Sequence, residues 1–445
     1  MRREKKGVPR ERMRATLRPS GRRKANWQEV WATPEDIMAY LQNKVMLRRN
    51  MVTHQTEAHW LSEYNDEIED EMRWVELSDS DENQLWIDMW QEQQKKVKFE
   101  YLLRVIQSDF VPEFHPFRYY LNRLPPWHED QGDYIMELSL SVNVKGGSDE
   151  QFLFYEYLKK WLVWMVASWA DDNVVNHVML VLIGEQGSYK TTWFSMLLPP
   201  ELRRYFYTKT NSSQMTKDDI LTLAEYGLVC CEELDTMAPR ELNQLKAAMT
   251  MPSINEREAY ARHKEHRKHL ASFCGTGNTV QFLTDTTGNR RWLPFEIDSI
   301  TPPLEQPFNY EGIYSQAYTL YRQGFRYWFT PEEIRRLALH NEKYETPQSE
   351  LDLVDRHFRK PVGDEPCELV SATYAIQVIG YSPAVKLSKE KVGAAFTKLG
   401  FEYKRTARQR GYLAVQRKGA EIEAYRRQLA EESTPMTDDS MTAVF

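Results

Sequence analysis

The residues best suited to chemistry lie in one short stretch around Lys190. An unbroken apolar run at 178–183 precedes a glycine-bearing turn, and an apolar-periodic segment follows the turn. Such a run is typical of a strand buried on both faces of a sheet. The order strand, loop, Lys-Thr and helix predicts a phosphate-binding loop. Its predicted nucleotide-binding residues are Gly184, Glu185, Gln186, Gly187, Ser188, Tyr189, Lys190, Thr191 and Thr192.

Within this loop, Lys190 would place a positive charge on the outer phosphates, and the Thr191 hydroxyl would hold Mg²⁺. The match to the common pattern is imperfect, because Tyr189 stands where the second glycine belongs. We expect Gly187 to supply the backbone freedom instead. A lysine-containing helix cap is the alternative, but it does not explain two glycines directly after a buried strand.

A second apolar strand at 227–231 ends in two carboxylates, Glu232 and Glu233. Hydrolysis of Mg-ATP requires acids on the strand beside the phosphate loop. We assign Glu232 to the metal and Glu233 to the attacking water. Further along, Asn278 ends a third apolar strand as a polar tip, suited to contact the γ-phosphate or the water. The alternative for the acids is a strand that simply runs into a polar loop.

Two adjacent arginines, Arg290 and Arg291, follow a Gly-Asn turn and precede another apolar strand. An arginine on a subunit face can stabilise the phosphoryl group transferred in a neighbouring subunit. A salt bridge across the strand end is the alternative. The predicted catalytic set is therefore Lys190, Glu232, Glu233, Asn278, Arg290 and Arg291.

Residues 255–269 concentrate basic and histidine side chains around one aromatic residue. They suggest a hairpin that grips a nucleic-acid backbone, with Tyr260 against a base or sugar. A solvated helix face and arginines that saturate the nucleotide phosphates are the alternatives. The predicted DNA-binding residues here are Arg257, Tyr260, Arg262, His263, Lys264, His266, Arg267 and Lys268.

In this order, the motifs resemble those of the virulence-associated protein E family of P-loop ATPases from mobile elements and phages, which are close to superfamily 3 helicases. The likeness covers roughly 110–300. It implies Walker A at Lys190 and Thr191, Walker B at Glu232 and Glu233, sensor 1 at Asn278, and an arginine finger at Arg290 or Arg291. It also implies ring hexamers around DNA. Tyr189 and Glu232 depart from the family's usual glycine and aspartate, so the affinity for metal could differ.

The flanking regions must position this centre, and their composition divides the chain. Residues 1–25 hold eleven Lys or Arg against two Glu, while residues 63–88 hold eleven Asp or Glu against one Arg. We expect a disordered basic arm at 1–25, which either contacts phosphates or is a solvated tail. A mostly helical region follows at 26–150, with the aromatics Trp86, Trp90 and Tyr101 in its core.

The remaining boundaries place the P-loop ATPase domain, of RecA-like or AAA+ α/β type, at 151–300 and a helical connector at 301–360. Two helices and a β-hairpin at 361–418 resemble a winged helix. Its predicted DNA-binding residues are Lys389, Arg405, Arg408 and Arg410. A packing module with an incidentally basic wing is the alternative. We expect residues 419–445 to form an acidic, disordered tail.

Composition restricts the class of protein further. The net charge of −7 argues against a simple nucleic-acid-binding protein but allows a basic surface. Of the four cysteines, Cys230, Cys231 and Cys274 fall in apolar segments and indicate a reducing compartment. No apolar run approaches membrane-spanning length, and the N-terminus has no signal-peptide pattern, so we expect a cytoplasmic location without membrane association.

Together these features predict an ATP- and Mg²⁺-dependent DNA helicase or translocase of a mobile element, acting as a homo-oligomer on single-stranded or forked DNA. An initiator or loader ATPase that assembles on DNA without unwinding it is the alternative. A nucleoside or sugar kinase would leave the basic hairpin and the C-terminal module without a purpose. The sequence leaves open the ring size, the polarity, DNA versus RNA, and whether a separate primase is a partner.

Overall fold

The computed structural model of the protein describes residues 30–61, 73–93, 95–210, 217–254, 267–283, 289–346, 349–363, 365–380, 387–406 and 409–424. The chain divides into two compact units, Met1–Arg123 and Leu124–Phe445. The basic arm at 1–25, residues 63–72 of the acidic run and most of the C-terminal tail lie outside the described residues.

The first unit combines four helices with a four-stranded sheet of order β3-β2-β1-β4. Thr33 caps the first helix in a reciprocal capping box with Asp36, and Pro34 occupies its first position. The elements are α1 (Pro34–Lys44), β1 (Val45–Asn50), β2 (Thr56–Trp60), β3 (Val75–Glu76), α2 (Asp79–Gln93), α3 (Phe99–Ile106), β4 (Glu113–Phe114) and α4 (Pro116–Arg123).

Helices α1 to α4 agree with the helical region that the sequence predicts, but the unit also contains a sheet that the sequence analysis does not predict. Strand β1 pairs antiparallel with β2 and parallel with β4, so the unit is a mixture of helices and sheet. The aromatic prediction is also wrong in part. Trp90 is 52% exposed and Tyr101 is 38% exposed, whereas Leu102 is buried. Trp86 does pack against the core of this unit, whereas Trp90 and Tyr101 lie on exposed faces of α2 and α3.

The second unit is built on a six-stranded sheet of order β5-β12-β6-β11-β8-β7. All of its strands are parallel except β5, which pairs antiparallel with β12. The elements up to the end of the sheet are α5 (Tyr134–Leu140), β5 (Val142–Val144), α6 (Ser148–Ala170), β6 (Met179–Ile183), α7 (Lys190–Leu197), β7 (Phe206–Lys209), α8 (Lys217–Glu225), β8 (Leu228–Cys231), α9 (Pro239–Met249), β9 (Ser253–Ile254), β10 (Arg267–Lys268), β11 (Ser272–Gly277) and β12 (Trp292–Ile300).

The sheet order corrects one expectation from the sequence. Strand β8, which carries the acids, is not beside β6, because β11 lies between them and pairs with both. All three strands are parallel, so their carboxyl ends still meet at one edge. The domain also begins earlier than 151, since β5 joins the sheet from residues 142–144.

Helix α6 packs its apolar length against this sheet. The indole nitrogen of Trp161 donates to the carbonyl of Phe273, and that of Trp169 donates to the carbonyl of Gly227. Because these side chains are large and fully buried, they dominate the apolar surface that the helix removes from water. Cys230, Cys231 and Cys274 are buried thiols in the adjacent strands, and burial raises the pKa of Cys231 and Cys274.

Beyond the sheet, two helices lead to a smaller C-terminal sheet. Element order there is helix, two short strands, helix, helix and hairpin, which includes the two helices and the hairpin that the sequence predicts. The elements are α10 (Tyr310–Arg322), α11 (Pro331–Asn341), α12 (Ser349–His357), β13 (Phe358–Arg359), β14 (Glu368–Val370), α13 (Ala372–Ile379), α14 (Lys389–Lys398), β15 (Tyr403–Arg405) and β16 (Arg410–Gln416).

Strand β16 is the centre of this C-terminal sheet, because it pairs with β13, β14 and β15. Val392, Phe396 and Phe358 are buried in a separate small core beneath it. Among the described helices, none has the length and apolar character needed to cross a membrane.

Candidate functional site

The loop between β6 and α7 begins at Gly184 and ends at Tyr189, at the carboxyl edge of the central sheet. A Cβ atom on Gly184 would lie 2.8 Å from Cγ1 of Ile297, so only glycine lets β12 approach this closely. Gly187 has a φ of 85° and supplies the left-handed turn that the sequence predicts for it. Tyr189 is also left-handed, with a φ of 62°, and its side chain is 48% exposed. The position thus keeps the backbone conformation typical of glycine while carrying a large side chain.

The Lys190 side chain is directed toward the loop that precedes it. Its Nζ lies 2.7 Å from the carbonyl oxygen of Gly184 and 2.6 Å from that of Glu185, and it also donates to Ser188 Oγ at 3.1 Å. Burial lowers the pKa of Lys190, and the nearby Asp235 carboxylate acts in the opposite direction. The ammonium is therefore held at the loop by neutral oxygens that a phosphate could replace.

Thr191 and Glu232 meet across the sheet edge. The Thr191 hydroxyl donates to Oε1 of Glu232 at 2.7 Å, although β11 lies between β6, which precedes the loop, and β8, which precedes Glu232. Glu233 follows in a left-handed conformation with a φ of 51° and an exposed side chain. The two acids therefore differ in placement: Glu232 is bonded to the loop helix and Glu233 is open to solvent.

Asn278 lies between the loop and the acids because it follows β11. Its Oδ1 is 3.5 Å from Nζ of Lys190, at the limit of a hydrogen bond. Asp235 holds this residue in place, since its two carboxylate oxygens accept from the backbone amides of Asn278 and Thr279 at 3.2 and 3.1 Å. The sequence analysis missed Asp235. The signal was present as a third acid shortly after the Glu232-Glu233 pair.

Gly275 allows this tether to form. A Cβ atom there would lie 2.4 Å from Cδ1 of Leu234, so a larger residue would push the segment after Glu233 away from β11. Leu234 itself is buried. The glycine thereby brings the Asp235 turn within hydrogen-bond distance of the Asn278 backbone.

These residues surround a cleft of about 490 Å³. It is lined by Gln186, Gly187, Ser188, Tyr189, Lys190, Thr191, Thr192, Glu232, Glu233, Thr276 and Asn278. All nine predicted loop residues therefore lie at this edge of the sheet, seven of them in the lining. Thr276 is an addition that the sequence did not indicate. A cation and loop amides on one side face carboxylates on the other, an arrangement suited to a polyphosphate with a bound cation.

The donor atoms fit a hard cation. Thr191 offers a hydroxyl and Glu232 a carboxylate, and Mg²⁺ is usually held by one or two protein oxygens together with phosphate oxygens and water. Within the described residues, no group of three or more His, Cys, Asp or Glu side chains could hold a metal by itself. A metal held by Thr191 and Glu232 would complete its ligands with phosphate oxygens and water.

Arg290 and Arg291 lie at the opposite edge of the sheet. They end a 3₁₀ turn directly before Trp292, which pairs with Met179 at the amino end of β6. The phosphate loop follows the other end of β6, roughly 16 Å away along the strand. Neither arginine forms an ion pair within the described part of the chain, which does not favour the salt-bridge alternative. Nε of Arg291 is buried without a hydrogen-bond partner there.

The environment of Arg291 is unfavourable for its charge. Burial lowers the pKa of Arg291, and the adjacent Arg290 adds repulsion. The effect extends to His177, whose pKa is lowered by burial and by Arg291. An anion at this position would relieve both effects.

The predicted basic hairpin is described only at its end. Arg257, Tyr260, Arg262, His263, Lys264 and His266 lie outside the described residues. Arg267 and Lys268 form β10, which pairs with β9. Arg267 is 4% exposed and its guanidinium lies 2.9 Å from Oε1 of Glu225. This placement corrects the assignment of Arg267 to DNA binding, because an arginine buried in an ion pair anchors the segment instead.

The basic residues of the C-terminal sheet are exposed. Lys389 begins α14, and Arg405 and Arg410 face each other across the β15–β16 hairpin. Arg408 lies outside the described residues. Helix α14 is linked to the preceding segment by the ion pairs Lys391–Glu350 and Lys398–Glu345. The hairpin is held by the sheet, because β16 also pairs with β14.

Comparison with known proteins finds a matching family model for one part of the chain. Residues 130–346 match the model of the Virulence-associated protein E-like domain, which confirms the resemblance that the motifs carry. No curated protein matches the chain in sequence.

Three of the similar solved structures are apo structures of the C-terminal region of NrS-1. The first has a TM-score of 0.42 at 12% identity, covering 85% of this chain and 98% of that chain. The second, an A form, has a TM-score of 0.37 at 14% identity, with 72% and 77% covered. The third, also an A form, has a TM-score of 0.35 at 13% identity, with 82% and 71% covered. At these scores the likeness does not extend to function.

Proposed function

Because this chain carries a virulence-associated protein E-like domain over residues 130–346, we propose that it is an ATP-driven DNA helicase or translocase that serves the replication of a mobile element or phage. One observation carries the proposal. Lys190, Thr191, Glu232 and Asn278 come from three separate strand ends and meet in one cleft. This combination is needed for phosphoryl transfer and has no evident structural purpose.

In this proposal the Lys190 ammonium exchanges its carbonyl partners for the β- and γ-phosphates of ATP. Thr191 and Glu232 hold Mg²⁺, which would neutralise charge on the phosphates. Glu233 accepts a proton from the attacking water, as its exposed position at the mouth of the cleft permits. Asn278, fixed by Asp235, donates its side-chain amide to the γ-phosphate or the water.

The arginines complete this site from another subunit. Since Arg290 and Arg291 lie at the edge of the sheet opposite their own loop, we assign them to the cleft of a neighbouring copy. In that arrangement the guanidinium of one of these arginines would contact the transferring phosphoryl group of the neighbour. A closed ring, expected to be a hexamer, places every cleft against such an edge.

DNA would be contacted by the basic segment before β11 and by the C-terminal hairpin. Lys268 remains exposed beside the buried Arg267 and stays in the proposed set. Lys389, Arg405 and Arg410 add charge on the C-terminal sheet, whose helix, strand, helix, helix and hairpin order favours a winged helix. Hydrolysis at one subunit interface would displace the segment before β11 along the strand.

The decisive experiment compares Lys190→Ala with Lys145→Ala. Both lysines lie at the same edge of the sheet, but Lys145 pairs with Glu296 outside the cleft lining. We expect Lys190→Ala to lose ATP turnover with Mg²⁺ and single-stranded DNA, and Lys145→Ala to keep it. Retained turnover in Lys190→Ala would refute the site.

The second candidate is an initiator or loader ATPase that assembles on DNA without unwinding it, and the exposed C-terminal basic hairpin favours it. Strand displacement on a forked DNA separates the two. A loader binds the fork in an ATP-dependent manner and releases no strand, whereas a helicase releases one.

A further inference from the structure

The first unit exposes aromatic rings on a surface that also carries cations. Trp31 is 47% exposed and Tyr101 is 38% exposed, although large aromatic side chains are usually well covered. Neither ring belongs to the buried core of this unit. Rings left open to water on a small unit indicate a binding surface.

Cations and rings are interleaved here. Lys98 lies between the two rings, with its Nζ 5.3 Å from the centre of Trp31 and 5.2 Å from that of Tyr101. A second lysine, Lys96, lies 5.9 Å from the Trp31 ring, and Arg104 lies 5.8 Å from the Tyr101 ring. We call Trp31, Lys96, Lys98, Tyr101 and Arg104 the aromatic-basic patch.

The patch rests on fixed backbone. The amide of Ala32 donates to the carbonyl of Lys96 at 2.9 Å, and the amide of Lys96 donates to the carbonyl of Val30 at 3.0 Å. Trp31 is thus held beside the lysines by a short bridge, while Tyr101 and Arg104 are one turn apart on α3. A rigid platform loses little entropy when it binds a ligand.

From this arrangement we propose that the aromatic-basic patch binds single-stranded nucleic acid, separately from the nucleotide cleft. Bases would stack on Trp31 and Tyr101, and Lys96, Lys98 and Arg104 would contact the phosphates. Charge complementarity selects this occupant, because three cations alternate with the rings instead of surrounding an apolar patch. Nearby Lys95 adds no net charge, since it pairs with Asp36. Glu100 on α3 is the exposed carboxylate within the same short helix.

Binding is tested with the full-length protein and no nucleotide, using fluorescent oligothymidine and oligouridine. Trp31→Ala and Tyr101→Ala should each weaken binding on the order of tenfold, and Trp31→Phe and Tyr101→Phe should keep most of it. Lys98→Ala should lower the slope of log K against log salt concentration by roughly one unit. Equal loss with both oligonucleotides indicates a general single-strand site, and loss with one alone identifies its substrate.

Trp90→Ala is the matched control. Trp90 is also exposed in this unit, on the acidic helix α2, and it stacks on Trp86. We expect its binding to be unchanged, and the thermal unfolding transition of every variant to match that of the unchanged protein, which shows that the chain is folded.

Photo-crosslinking locates the contact directly. An oligonucleotide containing iodouracil should attach to peptides that contain Trp31 or Tyr101. If the alanine variants bind like the unchanged protein, or if crosslinks fall only on other peptides, the proposal is wrong. A protein partner captured by the patch in place of the oligonucleotide would equally overturn it. None of these outcomes depends on hydrolysis, so the proposed ATPase function stands or falls separately.

Discussion

The two edges of the central sheet differ in whether their charged residues have partners within the described part of the chain. At the carboxyl edge, Lys190 and Thr191 have partners within the chain, namely carbonyl oxygens of the loop for Lys190 and the Glu232 carboxylate for Thr191. At the amino edge, Arg290 is exposed and Nε of Arg291 is buried without a hydrogen-bond partner in the described chain. The carboxyl edge carries the side chains proposed to bind ATP and its metal. The amino edge carries positive charge for which an external anion would be the partner. This contrast is the basis for our proposal that the catalytic unit is an interface between subunits.

The largest expected effect tests this contrast by mixing subunits. Arg290→Ala and Arg291→Ala each remove a cation from the amino edge, and the variant lacking the true finger should lose roughly 10³- to 10⁵-fold in turnover. Mixed with Lys190→Ala, that variant should partly recover, because an intact cleft then meets an intact arginine. The measurement is steady-state ATP hydrolysis over a range of mixing ratios. Recovery from neither arginine variant would contradict action between subunits.

A somewhat smaller loss is expected from the carboxyl edge. Glu233→Gln keeps the size of the side chain but cannot accept a proton, so turnover should fall about 10²- to 10⁴-fold with ATP still bound. Glu232→Gln, its neighbour, should instead weaken the Mg²⁺ dependence of binding. Single-turnover hydrolysis and nucleotide titrations measure the two effects. Equal behaviour of the two variants would show that the assigned division of roles is wrong.

A moderate effect is expected from Asp235→Asn. An amide offers one acceptor oxygen in place of two, so either Asn278 or Thr279 loses its backbone partner. Turnover should fall roughly tenfold while nucleotide affinity stays within about threefold, because Asp235 positions the Asn278 segment without touching ATP. Asp298→Asn, at an exposed site in β12, is the control. A loss of affinity without loss of turnover would argue against a positioning role.

The smallest expected effect concerns pH. Burial lowers the pKa of Lys190, so this ammonium loses its proton at a lower pH than a solvated lysine. Nucleotide affinity should therefore decline on the alkaline side before the usual lysine range near about 10.4 is reached. Lys190→Arg, whose guanidinium stays charged, should bind weakly but without that decline. Measuring nucleotide affinity as a function of pH tests this prediction. Parallel affinity curves for the unchanged protein and Lys190→Arg would contradict it.

The sequence was most informative where the backbone itself is chemically constrained. A fully apolar strand followed by glycines and Lys-Thr located β6, the loop and α7, because buried parallel strands and tight turns restrict residue type. The position of β8 in the sheet was not predictable in this way. Strand order depends on which strands pair, and nothing in the 227–233 segment shows that β11 lies between it and β6. Asp235 was missed for the same reason, since its partner Asn278 comes close only after pairing.

The first unit was harder to interpret, because amphipathic aromatic patterns do not reveal which face is covered. Trp90 and Leu85 lie on one short helix, yet only Leu85 is buried. Arg267 shows the same ambiguity for charge. Its basic surroundings suggest a DNA contact, but Glu225 from α8 pairs with it in the interior. A basic cluster in the sequence indicates that a positively charged surface exists. Whether an individual arginine or lysine lies on that surface depends on its neighbours from distant segments.

Helix α6 has a mechanical consequence. The indole nitrogens of Trp169 and Trp161 attach one helix to the backbone ahead of β8 and to the start of β11, and those strands lead to Glu232 and Asn278. A force applied along the helix would move both strands as a pair. A load on this helix would therefore displace Glu232 and Asn278 together, the two side chains proposed to face the nucleotide.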